Sequence, residues 1–301
     1  MKFIKSYFRW HLFAFDKAYV ICMFFLIKHS DVENLWSHKL RIQTYNAMFN
    51  TRSRILRRAI RISFDYESNL FLVIEAGVKR YFKDGVQNFY VYQNGIENRG
   101  MALGTDYFID LIEFSNMKSV VIDCGANIGD LKLSLDFAGI NCHYIAFEPS
   151  PSEYECLTKN AANSELHNIG LWNKDAELDF YISTKNADSS FIEPDSHSGK
   201  ITIPAKRLDQ IYLSESIIDL IKLEAEGAEI EVIEGAENIL SRTRYIAADL
   251  GFERNGKSTL PQVSNFLLKR GFEIVSFGAP RIVVLFKNTA GVGSTILIEP
   301  N

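Results

Sequence analysis

The chain has 301 residues, of which 47% are apolar, 13% aromatic and 23% charged, with 18 Gly and 7 Pro. This suffices for one large core or two average ones, and it excludes collagen-like, mucin-like and disordered classes. The net charge of -4 divides unevenly, with 12 Lys/Arg against 3 Asp/Glu in residues 1–61 and 21 against 34 in residues 62–301, so the body should not attract nucleic acid.

The basic front end opens MKFIKSYFRWHLFAFDKAYVICMFFLIKHS. Its longest apolar run, Ala18 to Ile27, would extend about 15 Å as a helix, half the roughly 30 Å hydrocarbon core of a bilayer. Asp16 and Lys17 interrupt what a secretion signal would need. Residues 1–30 are therefore expected to dock on the body or to lie on a membrane surface, with Lys2, Lys5 and Arg9 toward head groups. The expected location is cytoplasmic, at the membrane periphery if that segment binds lipid. Cys22, Cys124, Cys142 and Cys156 lack the paired spacing of a disulfide framework or a zinc site.

Residues 1–61 read as a basic helical region, followed over 62–106 by a small antiparallel β unit. There aromatic and β-branched residues alternate with polar ones, and Asp84-Gly85 is a turn signal. From residue 107 to 301 strands and helices alternate. YFIDLIEFSNM predicts a helix, SVVIDCG a buried strand, NIGDLKLSLDFAG a helix, CHYIAFEPS a strand, PSEYECLTKNAAN a helix and ELHNIGLWN a third strand. ELDFYIS and KITIPAKRL are further strands, then IIDLIKLEAEG a central strand, AEIEVIEGAENIL a helix and RYIAADLGF a strand. A helix over Pro261–Lys269 and strands FEIVSFG and RIVVLFKN close the chain. This pattern predicts an α/β fold with a mostly parallel, Rossmann-like sheet covered on both faces, its ligand crevice outside the strands' carboxyl ends.

The sharpest feature is VVIDCGANIG, a strand ending at Asp123 that turns through Gly125 and Gly129 into a helix. A dinucleotide fingerprint would place glycine at 125, 127 and 130, but the chain has Asn127 and Asp130, which suits a cofactor without phosphates. The next strand ends in Glu148, a carboxylate that can accept hydrogen bonds from the vicinal hydroxyls of a ribose. Farther on, Lys222, Glu224 and Glu226 share one side of a strand by its two-residue period, which forces their charges together unless the strand ends near Leu223 and opens into the crevice. Such crowding predicts one carboxylate raised toward the range of a general base, and a solvated acidic helix start is the plainer reading of Glu229. His143 lies inside a strand, suited to packing, and no histidine has metal-ligand spacing.

Gly125-Ala126-Asn127-Ile128-Gly129, Ala146-Phe147-Glu148-Pro149, Leu208-Asp209 and the run Lys222–Glu229 with Gly235-Ala236 resemble, in their order, the FkbM family of S-adenosylmethionine-dependent methyltransferases. The resemblance covers roughly residues 118 to 250 strongly and extends weakly to 288. It implies a seven-stranded sheet whose last strand runs antiparallel, and methyl transfer from S-adenosylmethionine to a hydroxyl, often on a sugar or polyketide. It further implies that Asp123, Gly125, Asn127 and Gly129 border the methionine part of the cofactor, that Glu148 holds its ribose, and that Gly170, Leu171 and Trp172 flank its adenine. Lys222, Glu224, Glu226 and Asp249 are the candidates near the reacting methyl. The chain departs from the family pattern at Glu224, where Asp is usual, and at Ala225, where a β-branched residue is usual.

Displacement at a sulfonium methyl needs alignment and removal of the hydroxyl proton, and no metal. The expected acceptor is a hydroxyl of a carbohydrate, glycolipid or polysaccharide precursor. An N-methyltransferase of the same fold and a binding protein without turnover are the alternatives. A nicotinamide enzyme conflicts with Asn127 and Asp130.

Overall fold

The structure, a computed structural model, describes residues 46–47, 49–51, 53–54, 59–83, 91–115, 118–183, 189–211 and 217–291. The front-end segment 1–30 and the Asp84-Gly85 turn lie outside these residues. The chain divides between Asn98 and Arg99 into two units. Among the described residues no helix is long and apolar enough to cross a membrane.

In the first unit, β1 (Arg61–Asp65), β2 (Leu70–Glu75) and β3 (Val78–Phe82) form an antiparallel meander. Alternation in β1 puts Ile62 and Phe64 in its core with Leu70, Val73, Phe82 and Tyr92. The hairpin between β2 and β3 turns at Ala76-Gly77, both at positive φ (49° and 86°), the geometry that matches the twist of flanking strands. Tyr92 and Val91 are helical rather than extended, so the antiparallel unit stops short of the VYQNG segment.

The second unit is built on a seven-stranded sheet. Its strands are β4 (Ser119–Cys124), β5 (Cys142–Phe147), β6 (Glu165–His167), β10 (Ile218–Leu223), β11 (Thr243–Asp249), β12 (Phe272–Phe277) and β13 (Val283–Asn288), in the order β12-β13-β11-β10-β4-β5-β6. Only β13 opposes its neighbours, pairing antiparallel with both β11 and β12. Every residue of β4 and β10 is buried, as strands covered on both faces must be. A smaller sheet holds β7 (Gly170–Leu171), β8 (Ala176–Ile182) and β9 (Gly199–Lys206) in the order β7-β9-β8.

On one face of the large sheet, Ile122, Ile145, Leu223 and Ile246 pack with Val232 and Ile233 of α4 (Glu229–Glu234), Ile239 of α5 (Glu237–Leu240) and Val263 and Leu267 of α6 (Leu260–Leu268). On the other, Val121, Tyr144, Leu220 and Leu285 pack with Leu103 of α1 (Ile96–Asp106), Leu131 and Leu135 of α2 (Asp130–Phe137) and Leu157 of α3 (Pro151–Asn160). Pro151 sits in the first turn of α3, where its missing N–H costs nothing. The helix expected over 107–117 lies earlier, at α1. Phe108 adopts a left-handed backbone (φ 56°) and only a short 3-10 turn, Ile109–Leu111, follows. The third strand also divides, β6 staying in the large sheet and β7 joining the small one.

Register fixes where a site can form. Cys124 pairs with both Phe147 and Leu223, and Leu223 with Ala248, so the carboxyl ends of β4, β5, β10 and β11 are level.

Candidate active site

At the level edge, the turn after β4 passes through Gly125, Asn127 and Gly129 at φ 77°, 51° and 85°. The amides of Gly125 and Ala126 both donate to Phe147 O at 3.0 Å, tying the turn to the end of β5. A Cβ on Gly125 would lie 1.8 Å from Glu224 O, so only glycine allows the turn to meet the segment leaving β10. Glu148 follows directly on β5 and is buried. Asn127 N–H donates to its Oε2 at 2.7 Å and Ser150 N–H to its Oε1 at 2.8 Å. Burial dominates its titration, with Glu153 adding to it, and outweighs the two amides and Lys222, raising the carboxyl to about 8. Asp130, which stands where a dinucleotide fingerprint would have glycine, is paired with Arg99 Nε at 2.7 Å.

The neighbouring strand ends carry an ion-pair network. Lys222 Nζ lies 3.1 Å from Asp123 Oδ1 and 3.0 Å from Glu224 Oε2, and donates to Gly125 O at 2.6 Å. Asp123 is fully buried and accepts the Tyr144 hydroxyl, so it anchors the lysine. Tyr107 OH donates to Glu224 Oε2 at 2.8 Å and accepts Arg281 Nη2 at 3.2 Å. Arg281 bridges Glu224 and Asp249 through Nη2 and Nε. The crowding predicts one raised carboxylate in this segment, and Glu224 is not that one. Burial alone would raise it, but Lys222, Arg281 and the Tyr107 hydroxyl outweigh burial and hold the carboxyl down at about 2. Burial, with Glu224 nearby, raises Asp249 despite its pair with Arg281.

The strand ends at Leu223, and Glu226 takes a left-handed backbone (φ 49°), so the two-residue period uniting Lys222, Glu224 and Glu226 does not extend to 226. Glu226 O accepts the Ser190 hydroxyl at 2.7 Å. Glu229 is buried rather than solvated. Its Oε1 accepts the amides of Ala225 and Gly227, both at 3.0 Å, and its Oε2 the Thr259 hydroxyl at 2.9 Å.

Gly170 and Leu171 form β7 of the small sheet, Leu171 lies in the core with Val232, and a Cβ on Gly235 would meet Trp172 O at 2.1 Å. Asn168, between β6 and β7, instead bonds the Glu148 end, donating to Glu148 O at 2.8 Å and Pro149 O at 3.1 Å. His143 and His167 both contact Glu165, at 3.1 and 3.0 Å, and His167 stacks on Phe147. Asp209 caps α5, accepting the amides of Asn238 at 3.0 Å and Ile239 at 3.1 Å.

The glycine turn, Glu148 and the Lys222 segment meet at this edge, and the structure brings to it Tyr107, Arg281 and Asn168, which the sequence did not single out. Arg281 had a usable signal. An antiparallel last strand starts where β11 ends, and Val283 pairs with Asp249, so the residues just before β13 belong to the level edge.

A seven-stranded sheet with this order and one reversed strand, a glycine turn after its first strand and a carboxylate after its second, defines a Rossmann-like methyltransferase. The chain belongs to the family of the Methyltransferase FkbM domain, which matches residues 123–274. It is therefore a methyltransferase, and S-adenosylmethionine is its cofactor. Among its relatives, 2-O-methyltransferase NoeI of Sinorhizobium fredii is 27% identical over 70% of this chain and 98% of its own. Hexuronic acid methyltransferase AglP of Haloferax volcanii is 26% identical over 46% of this chain and 59% of its own. Of solved structures, the N-terminal domain of human METTL16 aligns over 80% of this chain and 91% of its own, at 14% identity and a TM-score of 0.44.

Proposed function

We propose that the protein methylates a hydroxyl of a carbohydrate, free or within a glycolipid or polysaccharide precursor. The observation that carries this reading is the similarity over nearly the whole length of a 2-O-methyltransferase, joined by a hexuronic acid methyltransferase.

The residues fit the cofactor. The Glu148 carboxylate is fixed by two amides and keeps lone pairs for the two ribose hydroxyls, and the backbone of Gly125–Gly129 can approach the methionine part closely. Asn168, which donates to Glu148 O and Pro149 O, joins Gly170, Leu171 and Trp172 as a candidate beside the adenine. When bound, the cofactor supplies a methyl already activated by its sulfonium. The chain's own work is then to place the acceptor oxygen and remove its proton. Around the exit of β10, three carboxylates (Asp123, Glu224, Asp249) face two cations (Lys222, Arg281), an excess of one negative charge that favours a cationic donor. Lys222, Glu224 and Tyr107 act as a fixed electrostatic frame, and Glu224, held ionised by its cations, is a weak proton acceptor.

The test is transfer of labelled methyl from S-adenosylmethionine to free hexuronic acids and their methyl glycosides, with amino sugars and amines alongside. Label in an alkali-stable methyl ether is the expected result. Label only in amines would show an N-methyltransferase, and S-adenosylhomocysteine binding without transfer to any acceptor would favour a protein that binds without turnover.

A further inference from the structure

Among the carboxylates at the level edge, Glu224 and Asp249 are held by Lys222 and Arg281, Glu231 by Arg254, and Glu229 by two amides and a hydroxyl. Glu253, four residues beyond the end of β11, has no cationic partner among the described residues. Its carboxylate folds back over Gly251, where a Cβ would meet Oε1 at 2.2 Å and Oε2 at 2.7 Å. Gly251 N–H in turn contacts Asp249 Oδ1 at 3.3 Å, so this carboxylate sits at the exit of β11. The preceding residue, Phe252, is 64% exposed although Leu250 before it is fully buried.

The loop is firmly seated. Arg254 Nη1 donates to Gly227 O at 2.9 Å and pairs with Glu231 at 2.8 Å, a Cβ on Gly227 would lie 3.0 Å from the Arg254 backbone, and Ser258 OH donates to Leu250 O. Arg254 therefore ties this loop to the segment that leaves β10, at the level edge of the sheet.

We propose that Phe252 and Glu253 form the acceptor subsite: the Phe252 ring stacks on a face of the sugar, and the Glu253 carboxylate takes the proton of the hydroxyl being methylated. This rests on the reading that the acceptor is a carbohydrate hydroxyl. An exposed aromatic ring beside a hydrogen-bonding carboxylate matches a sugar, whose ring C–H faces are apolar and whose rim is polar. In the step, the acceptor oxygen forms the new O–CH3 bond as the S–CH3 bond of the donor breaks and leaves its electron pair on sulfur. The hydroxyl proton passes to Glu253 and then to solvent. Titration agrees with the placement. Partial burial, with Asp249, Glu229 and Glu224 facing it, raises Glu253 to about 6, while the nearby Arg281 and Arg254 are engaged by other carboxylates. A base near that value is ionised at neutral pH yet still accepts a proton.

The experiment uses full-length wild type, Phe252→Ala, Glu253→Gln and Glu253→Asp. It measures initial rates of labelled methyl transfer from S-adenosylmethionine to methyl glycosides of hexuronic acids, with S-adenosylhomocysteine affinity by calorimetry as an independent readout. Glu253→Gln should lower kcat by about 100-fold or more with KM and S-adenosylhomocysteine affinity kept, and should lose the rise in rate through about pH 6, which Glu253→Asp restores in part. Phe252→Ala should raise the sugar KM by about 10-fold with kcat nearly kept. Wild-type kcat in Glu253→Gln, or wild-type KM in Phe252→Ala, overturns the subsite while the carbohydrate reading stands. A wild type that binds S-adenosylhomocysteine but methylates no sugar overturns both.

Discussion

Two glutamates lie at the ends of strands on the same edge and are treated in opposite ways. Glu148, after β5, is buried against backbone amides and rises to about 8, whereas Glu224, after β10, is gripped by Lys222 and Arg281 and falls to about 2. Amides fix a carboxylate in place without deciding its charge, because burial opposes them. Paired cations decide the charge and leave little basicity. One end of the edge is thereby suited to holding neutral hydroxyls and the other to setting a field.

The largest expected effect comes from removing the cation that defines the second treatment. Lys222→Met leaves Asp123 and Glu224 facing each other in a buried site and should cost about 3–5 kcal/mol in urea unfolding. A loss under about 1 kcal/mol would show that the lysine does not hold the pair. Next, Gly125→Ala strains a positive φ and drives a methyl into Glu224 O, for about 2–3 kcal/mol, disturbing both ends at once. Stability falling while S-adenosylhomocysteine affinity stays at wild type would uncouple the two ends.

Glu148→Ala should weaken S-adenosylhomocysteine by about 1–3 kcal/mol, or about 5- to 150-fold, with turnover at saturating cofactor much less affected. Unchanged affinity by calorimetry would remove Glu148 from the cofactor site.

The last test separates the two glutamates by pH. Glu148 has a raised folded value, so its contribution is full below its ordinary value near 4.5 and is lost as pH rises to about 8. Glu224 has a depressed one, so its contribution is full above about 4.5 and is lost as pH falls toward about 2. Relative to wild type, Glu148→Gln should gain stability across the upper window, and Glu224→Gln should flatten the acid limb. Unfolding curves across pH showing the same window for both variants would refute the contrast.

The glycine turn and Glu148 were legible in the sequence because each follows an apolar strand whose length fixes where it emerges. The parallel core was legible for the same reason, as VVID, YIAF and IDLIKL can satisfy only buried strands. Partnerships across the edge were not. Tyr107 reads as part of a helix until the left-handed Phe108 ends that pattern, and nothing local pairs it with Glu224, 117 residues away. The opposite titrations of Glu148 and Glu224 depend on Arg281 and on burial, which appear only once the strands are in register. The two-residue period stops short of Glu226 for a local reason, since a residue at positive φ follows neither a strand nor a helix period.

Glu229 binds two amides of the segment after β10 with one oxygen and the Thr259 hydroxyl with the other, beside the start of α6. That staple makes the Lys222–Glu229 segment a poor place to vary, since each substitution there must preserve a buried hydrogen-bonded carboxylate. The exit loop of β11 is under no such constraint at Phe252. On the proposed acceptor subsite, an engineer seeking a new acceptor could exchange that side chain while leaving the methyl-donor half of the enzyme intact, so substrate choice and methyl-donor binding would be varied separately.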